Sequence, residues 1–346
     1  MTPISRRQLL LSLPGLALAP RLVPGLLAQA GAPPIRVRSL NHFGISVSDP
    51  KRSIEFYQAL FGMPIQARAG GNAILRIGTG PQFISIAPVE NGAAPSITHY
   101  CLGVEAFNVD RILVALAQHG VTKSDASGPM KATVTPRDGG TPDLLFGDPD
   151  GIQCQLQDVS YCGGTGPLGN VCRPPEPSPK KGLIALRDMS HLTVFSTDAA
   201  RSNRFYQDLF GLSIRSYQGP PGTAPTLAIG PTVQFMMYTG GGAPARGGTS
   251  AAPQRPASIN HACMNMDGFK PDDVVKSLES FGLKARETAQ GPVGPLRHYI
   301  SMRMENRGGA PEGTPELYFT DPDGLLMQLQ DSKYCGGGGY LGDVCK

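Results

Sequence analysis

Apolar and polar residues alternate over Leu317-Tyr318-Phe319-Thr320, and a further apolar stretch, Leu325-Leu326-Met327-Gln328, follows a break at Asp321-Pro322-Asp323-Gly324. Alternation at period two predicts strands. Pro presets φ and Gly supplies the positive φ of a tight turn, so the stretch reads as a hairpin. An earlier copy stands upstream as Leu145-Phe146-Gly147-Asp148-Pro149-Asp150-Gly151-Ile152-Gln153-Cys154-Gln155, with Asp148 in the place of Asp321. The rest of the chain is organised around this repeated hairpin.

Other copies appear in the same order. Asn41-His42-Phe43-Gly44-Ile45-Ser46-Val47 matches Ser190-His191-Leu192-Thr193-Val194-Phe195-Ser196, each a strand with an early histidine. Ile54 to Gly62 and Asn203 to Gly211 share Phe-Tyr-Gln and helical spacing of apolar residues. Both end on the Gly that suits a helix C-cap. Ile97-Thr98-His99-Tyr100-Cys101 and Ile259-Asn260-His261-Ala262-Cys263 form another strand pair. Helices are predicted after them over Asn108 to His119 and over Pro271 to Phe281, where Pro takes a favoured first-turn position. The separation between matching residues widens from Phe56 and Phe205, through His99 and His261, to Asp148 and Asp321. That widening places insertions in the second copy around Gly240 to Pro256 and Gly308 to Pro315. Each copy reads as two βαβββ units. The expected architecture is α+β: module 1 over 36–172, a semi-rigid Pro-rich linker over 173–182 and module 2 over 183–346.

The chain start changes the picture of where the protein works. Arg6-Arg7 precedes a short apolar run from Leu9 to Ala19, and Ala28-Gln29-Ala30 offers small residues to a signal peptidase. Residues 1–30 therefore resemble a twin-arginine export signal, and a periplasmic or otherwise exported protein is expected. The run is too short to span a bilayer, which takes roughly 20 residues. Cleavage removes three arginines and no acid, taking the net charge from +4 to +1. A near-neutral protein without a basic stripe excludes nucleic acid as the expected partner and leaves a small molecule. A homodimer stays open. The 44 glycines and 33 prolines gather in loops and fall short of a disordered composition.

With these motifs in both copies, the chain from about Leu40 to Tyr334 resembles the vicinal oxygen chelate superfamily of glyoxalase I, bleomycin-resistance proteins and extradiol dioxygenases. The resemblance implies two half-open barrels, each with metal ligands from the first, fifth and last strands of a module. In module 2 the matching positions are His191, His261 and Gln328; in module 1 they are His42, His99 and Gln155. Dioxygenases of the superfamily carry glutamate where this chain has glutamine. A neutral amide is a weaker ligand for a hard divalent ion, although some glyoxalases use one. By the same resemblance Tyr318, ten residues before Gln328, corresponds to a substrate-binding tyrosine, and His298 is the candidate acid/base. A loop must then intervene between Arg303 and Pro315. Module 1 has Phe146 at the tyrosine position and no histidine from Met130 to Thr141, so module 2 is expected to be the working one. Fe(II) or Mn(II) is the favoured cofactor, with Zn(II) or Ni(II) as alternatives.

Seven cysteines complete the inventory. Cys162 and Cys172 bracket a Gly-rich loop that recurs between Cys335 and Cys345. In an exported protein such pairs most simply form one disulfide per repeat, with a metal-binding thiolate pair as the other reading. Cys101 and Cys263 follow His99 and His261 by two and share their strand face, either lining the cup or serving as small wall residues. Three functions follow: an extradiol-type oxidoreductase acting on a catechol-like molecule, a glyoxalase-type isomerase or lyase, and a binding protein without turnover. Tyr318 and His298 favour the first, and the Gln ligand favours the last.

Overall fold

Module 1 consists of β1 (Val37–Val47), α1 (Pro50–Phe61), β2 (Ile65–Ala69), β3 (Asn72–Arg76), β4 (Phe83–Pro88), β5 (Ser96–Val104), α2 (Val109–Gln118), β6 (Thr122–Lys123), β7 (Lys131–Pro136), β8 (Pro142–Gly147) and β9 (Gln153–Asp158). Module 2 repeats it as β10 (Asp188–Phe195), α3 (Ala199–Phe210), β11 (Ile214–Tyr217), β12 (Pro225–Ala228), β13 (Phe235–Thr239), β14 (Ser258–Met266), α4 (Pro271–Phe281), β15 (Lys284–Ala285), β16 (Arg297–Arg303), β17 (Thr314–Thr320) and β18 (Leu326–Asp331). The structure is a computed structural model that describes residues 33–345 except 70, 138, 221, 241–255 and 290. Residues 1–30, read above as an export signal, and most of the Gly240 to Pro256 insertion lie outside the described residues.

The caps are those the sequence calls for. Asp49 and Asp198 accept from the backbone N–H groups of Arg52 and Arg201 at the starts of α1 and α3. Gly62 and Gly211 end these helices in the left-handed region at φ 69° and 64°. Each module folds into one nine-stranded sheet, in the orders β2-β3-β4-β1-β5-β9-β8-β7-β6 and β11-β12-β13-β10-β14-β18-β17-β16-β15. β1 and β5 run antiparallel, and each is flanked by a parallel partner, β4 or β9. This is two βαβββ units joined at their first strands, the tandem α+β arrangement expected. The anticipated loop is present too: a 3-10 turn over Glu305–Arg307 separates β16 from β17.

Strand alternation sorts side chains onto two faces. Phe43, Ile45, Tyr100, Leu102 and Leu156 of module 1 join Leu192, Val194, Met264 and Leu329 of module 2 in a single buried core. α1 and α3 lie within this shared layer. Phe56 and Phe61 of α1 pack on Phe319, with ring centroids 6.5 and 5.7 Å away. Phe205 and Phe210 of α3 pack in the same way on Phe146. The opposite face of each sheet carries the candidate ligands, His42, His99 and Gln155 in one and His191, His261 and Gln328 in the other.

The repeated hairpins reach across to the other module. Asp150 accepts from Ser196 Oγ at 2.6 Å, from Thr197 N at 2.9 Å and from Arg201, all at the start of α3. Asp323 accepts from Ser48 N at 3.2 Å and Arg52 Nη2 at 2.6 Å at the start of α1. Behind each, the first hairpin aspartate meets the helix tyrosine: Tyr206 Oη donates to Asp148 at 3.2 Å and Tyr57 Oη to Asp321 at 3.4 Å. Burial pushes both Asp148 and Asp321 up to about 6. The two most visible sequence repeats are therefore the two halves of one clasp. The Pro-rich segment is docked against module 1, with Glu176 and Ile65 exchanging backbone hydrogen bonds of 2.9 and 2.8 Å. Disulfides Cys162–Cys172 and Cys335–Cys345 close the loops after β9 and β18.

Removing one hairpin carboxylate strands several donors at once. Asp150→Ala is expected to lower unfolding free energy by about 2–3 kcal/mol, the range for hydrogen bonds to a charged group. The exposed Asp208→Ala change should stay within about 0.5 kcal/mol. Urea titrations of the two variants against the native protein check this, and equal losses would remove the clasp from the stability account.

Candidate metal centre

The site face of module 2 is built from one row of residues paired across six strands. Phe235 on β13 lies opposite His191 on β10, which lies opposite Cys263 on β14. Cys263 pairs with Gln328 on β18, Gln328 with Tyr318 on β17, and Tyr318 with Tyr299 on β16. His261 sits two residues before Cys263 on the same face, opposite Thr193. The row in module 1 is Phe83, His42, Cys101, Gln155, Leu145 and Thr133. The three expected ligand positions thus converge in both modules, from the first, fifth and last strands.

Two sequence assignments do not survive this register. Phe146 pairs with Cys154 and belongs to the core, so the module 1 counterpart of Tyr318 is Leu145. His298 pairs with Phe319, one residue out of the row, and therefore points to the helix side of the sheet. Its Nε2 lies 3.4 Å from Glu279 of α4. The physical reason is the period of two: Tyr299, not His298, shares a face with Tyr318, and their rings stack at 5.0 Å. His298 is not brought to the cup.

The histidines are held rigidly and kept neutral. His191 stacks on Phe235 at 4.3 Å and leans against Tyr334 at 5.5 Å. His191 and His261 are set edge to face at 5.5 Å, as are His42 and His99. Burial lowers His191 well below the usual imidazole range, and it lowers His261 to about 4. Asn260 Oδ1 lies 2.7 Å from His261 Nδ1, which suits an N–H there and leaves the Nε2 lone pair free. Cys263 floors the cup as a neutral thiol, because burial raises it well above the usual thiol value.

The modules differ in how the glutamine is engaged. In module 1, His42 Nε2 lies 2.9 Å from Gln155 Oε1, and Gln155 Nε2 donates to Asp143 Oδ1 at 3.0 Å. In module 2, the buried Gln328 Oε1 and Nε2 and the buried His261 Nε2 find no hydrogen-bond partner among the described residues. The amide is close enough to favour the protonated forms of both His191 and His261, yet it is in hydrogen-bonding geometry with neither. Three unsatisfied buried atoms in one place are costly unless something binds there. They border a cavity of about 230 Å³ lined by His191, His261, Gln328, Tyr318, Glu316 and Arg307, among others. Among the described residues no three His, Cys, Asp or Glu side chains form a metal-ligating group; the third position here is an amide. Two neutral imidazoles and an unspent amide oxygen fit a divalent ion with open positions.

Sequence reasoning missed the residues behind the cup. Arg303 is fully buried, donates from Nε to Glu316 Oε1 at 2.7 Å, and bonds the carbonyls of Gly308 and Gly337. Tyr334 Oη also donates to Glu316 Oε1, at 3.1 Å. Module 1 has Arg137, Asp143 and Tyr161 in these roles. Asp143 and Glu316, like Tyr161 and Tyr334, stand at the same separation in the chain as the hairpin aspartates Asp148 and Asp321. That shared separation was the available signal.

Residues 39–156 match the family described as the Glyoxalase/Bleomycin resistance protein/Dioxygenase superfamily. The search of curated proteins finds no match. Among solved structures, the Mn(II)-bound glyoxalase from Novosphingobium aromaticivorans is similar at 15% identity over 85% of this chain and 82% of that one, with a TM-score of 0.56. A catechol 2,3-dioxygenase is similar at 15% identity, covering 88% and 89%, with a TM-score of 0.53. A variant of the homoprotocatechuate 2,3-dioxygenase from Brevibacterium fuscum is similar at 15% identity, covering 87% and 74%, with a TM-score of 0.55. The match to the Glyoxalase/Bleomycin resistance protein/Dioxygenase superfamily thus lies within module 1, and the two modules together have the fold of these structures.

Proposed function

We propose that module 2 holds a divalent metal ion, Fe(II) or Mn(II), and acts on a catechol-like small molecule as an extradiol-type dioxygenase. The unpartnered Gln328 amide beside the unpartnered His261 Nε2 carries this reading. His191, His261 and Gln328 would hold the ion, which would supply a Lewis-acidic centre for the two neighbouring oxygens of the substrate. Tyr318 is the donor toward a substrate oxygen. Burial, and then the nearby Glu316 carboxylate, raise its hydroxyl well above the usual phenol range, so it keeps its proton. Phe235 and Tyr334 brace His191 and turn apolar surface toward the cup. A cavity of about 230 Å³ is smaller than drug-sized sites and suits a single ring. Module 1, whose Gln155 is engaged at both amide atoms and whose row has Leu145 in place of tyrosine, serves as the degenerate partner.

A second reading, a glyoxalase-type isomerase, is favoured by one observation: among the described residues no histidine other than the candidate ligands faces the cup, because His298 lies on the helix side. Export by the twin-arginine route remains part of the proposal. Arg6-Arg7 and the small residues before Gly31 support it, as do the two disulfides, which belong to oxidising compartments.

Elemental analysis of anaerobically purified protein tests the metal, and oxygen uptake with catechols tests the reaction. Close to one iron or manganese per chain is expected, lost in His261→Ala and kept in His99→Ala. Tyr318→Phe should lower turnover by roughly 100- to 1000-fold, as for a lost transition-state hydrogen-bond donor, with metal content unchanged. Zinc or nickel without oxygen uptake would move the assignment to the isomerase, and a native protein without stoichiometric metal would overturn both enzyme readings.

A further inference from the structure

A glutamine in place of a carboxylate leaves the site one negative charge short of a two-histidine, one-carboxylate ligand set. The surroundings make the deficit worse. Arg303 is fully buried behind the cup, its Nε 2.7 Å from the Oε1 of Glu316, which lines the cavity. A dication beside two neutral imidazoles, a neutral amide and a guanidinium would be poorly compensated.

Both modules place a carboxylate on the strand next to the glutamine. In module 1 it is Asp143, two residues before Leu145, which faces Gln155. Its Oδ1 accepts from Gln155 Nε2 at 3.0 Å, so the amide is turned with its oxygen toward His42. In module 2 it is Glu316, two residues before Tyr318, which faces Gln328. Glu316 Oε1 is taken by Arg303 and Tyr334, whereas among the described residues Oε2 has only a 3.4 Å contact from Tyr318 Oη. Glu316 is 3% exposed and lines the same cavity as Gln328, whose Nε2 has no partner. One wall of the cup thus holds an underused carboxylate oxygen and an unused amide donor.

We propose that Glu316 is the carboxylate of the module 2 metal centre: it takes the Gln328 amide N–H as Asp143 takes that of Gln155, and it offsets the charge of the ion from the neighbouring strand. This rests on the metal reading above. Glu316 is a positioning residue, acting through Gln328. The negative charge has moved from the last strand to the one beside it, and the glutamine transmits it. A carboxylate that accepts from a ligating group makes that group a better donor to the ion and fixes its orientation. Glu316 also screens Arg303, and that effect needs no movement.

Mn(II) binding to the full mature chain, followed by calorimetry with metal-free melting curves as the folding control, tests this. Glu316→Gln should weaken Mn(II) binding by roughly 10- to 100-fold, the range for losing a group that supports a metal ligand. Adding Gln328→Glu to that variant should restore affinity, because the charge returns to the last strand. A purely structural Arg303–Glu316 pair predicts otherwise: a lower melting temperature, unchanged Mn(II) affinity and no rescue. That result overturns the proposal. If Glu316→Gln does not fold, Gln328→Glu alone decides. With Glu316 already in the site, the second carboxylate meets like charge and changes affinity by less than about threefold. A gain of roughly 100-fold would show that the native site lacked a carboxylate. A native protein that takes up no Mn(II) would overturn the metal reading and this inference together, whereas native binding matched by Glu316→Gln overturns this inference alone.

Discussion

The structure depends on a register. β10 pairs antiparallel with β14 and β14 pairs parallel with β18, so His191, Cys263 and Gln328 fall in one row across three adjacent strands. Adjacent strands are about 4.8 Å apart, so groups two strands apart can share one ion only if the sheet brings them together on one face. Cys263 occupies the middle place as a small buried floor residue, which lets His191 and Gln328 approach over it. His261 enters from the next same-face position. A slip of one residue would send every one of these side chains into the shared core.

The core in turn requires both modules. Each sheet has one apolar face, and the two faces bury each other with α1 and α3 between them. The clasp of Asp150 on the start of α3 and of Asp323 on the start of α1 ties each hairpin to the helix of the opposite module. The hairpin leads directly into β9 or β18, the strand that carries the glutamine. Module 1 therefore contributes to the candidate centre of module 2 even though its own cup is closed by internal hydrogen bonds. On the function proposed above, module 1 is kept for that mechanical role.

Much of this was legible from local chemistry. The Asp-Pro-Asp-Gly turns, the Gly caps of α1 and α3 and the Cys162–Cys172 and Cys335–Cys345 pairs each follow from residues that allow few alternatives, and the loop before β17 follows from comparing the two repeats. The convergence of His191, His261 and Gln328 came from a family resemblance rather than from spacing, since long stretches of chain, each holding several strands and a helix, separate the three. His298 failed because the distance from a motif says nothing about strand parity, and one residue decides which face a side chain occupies. The placing of Phe146 at the tyrosine position failed on the same parity, since the register puts Leu145 there, opposite Gln155. Glu316 went unnoticed because a lone Glu in an apolar strand carries no motif; its significance emerges from Asp143 at the equivalent place and from the unpaired Gln328 amide. The clasp was hidden too, because sequence displays a repeat without saying that the copies meet.

The most direct test of the account is anomalous diffraction from crystals of the mature protein loaded with Mn(II). The account predicts one strong peak per chain, among His191, His261 and Gln328, and none among His42, His99 and Gln155. A peak in module 1 alone, equal peaks in both modules, or no peak in either would contradict it.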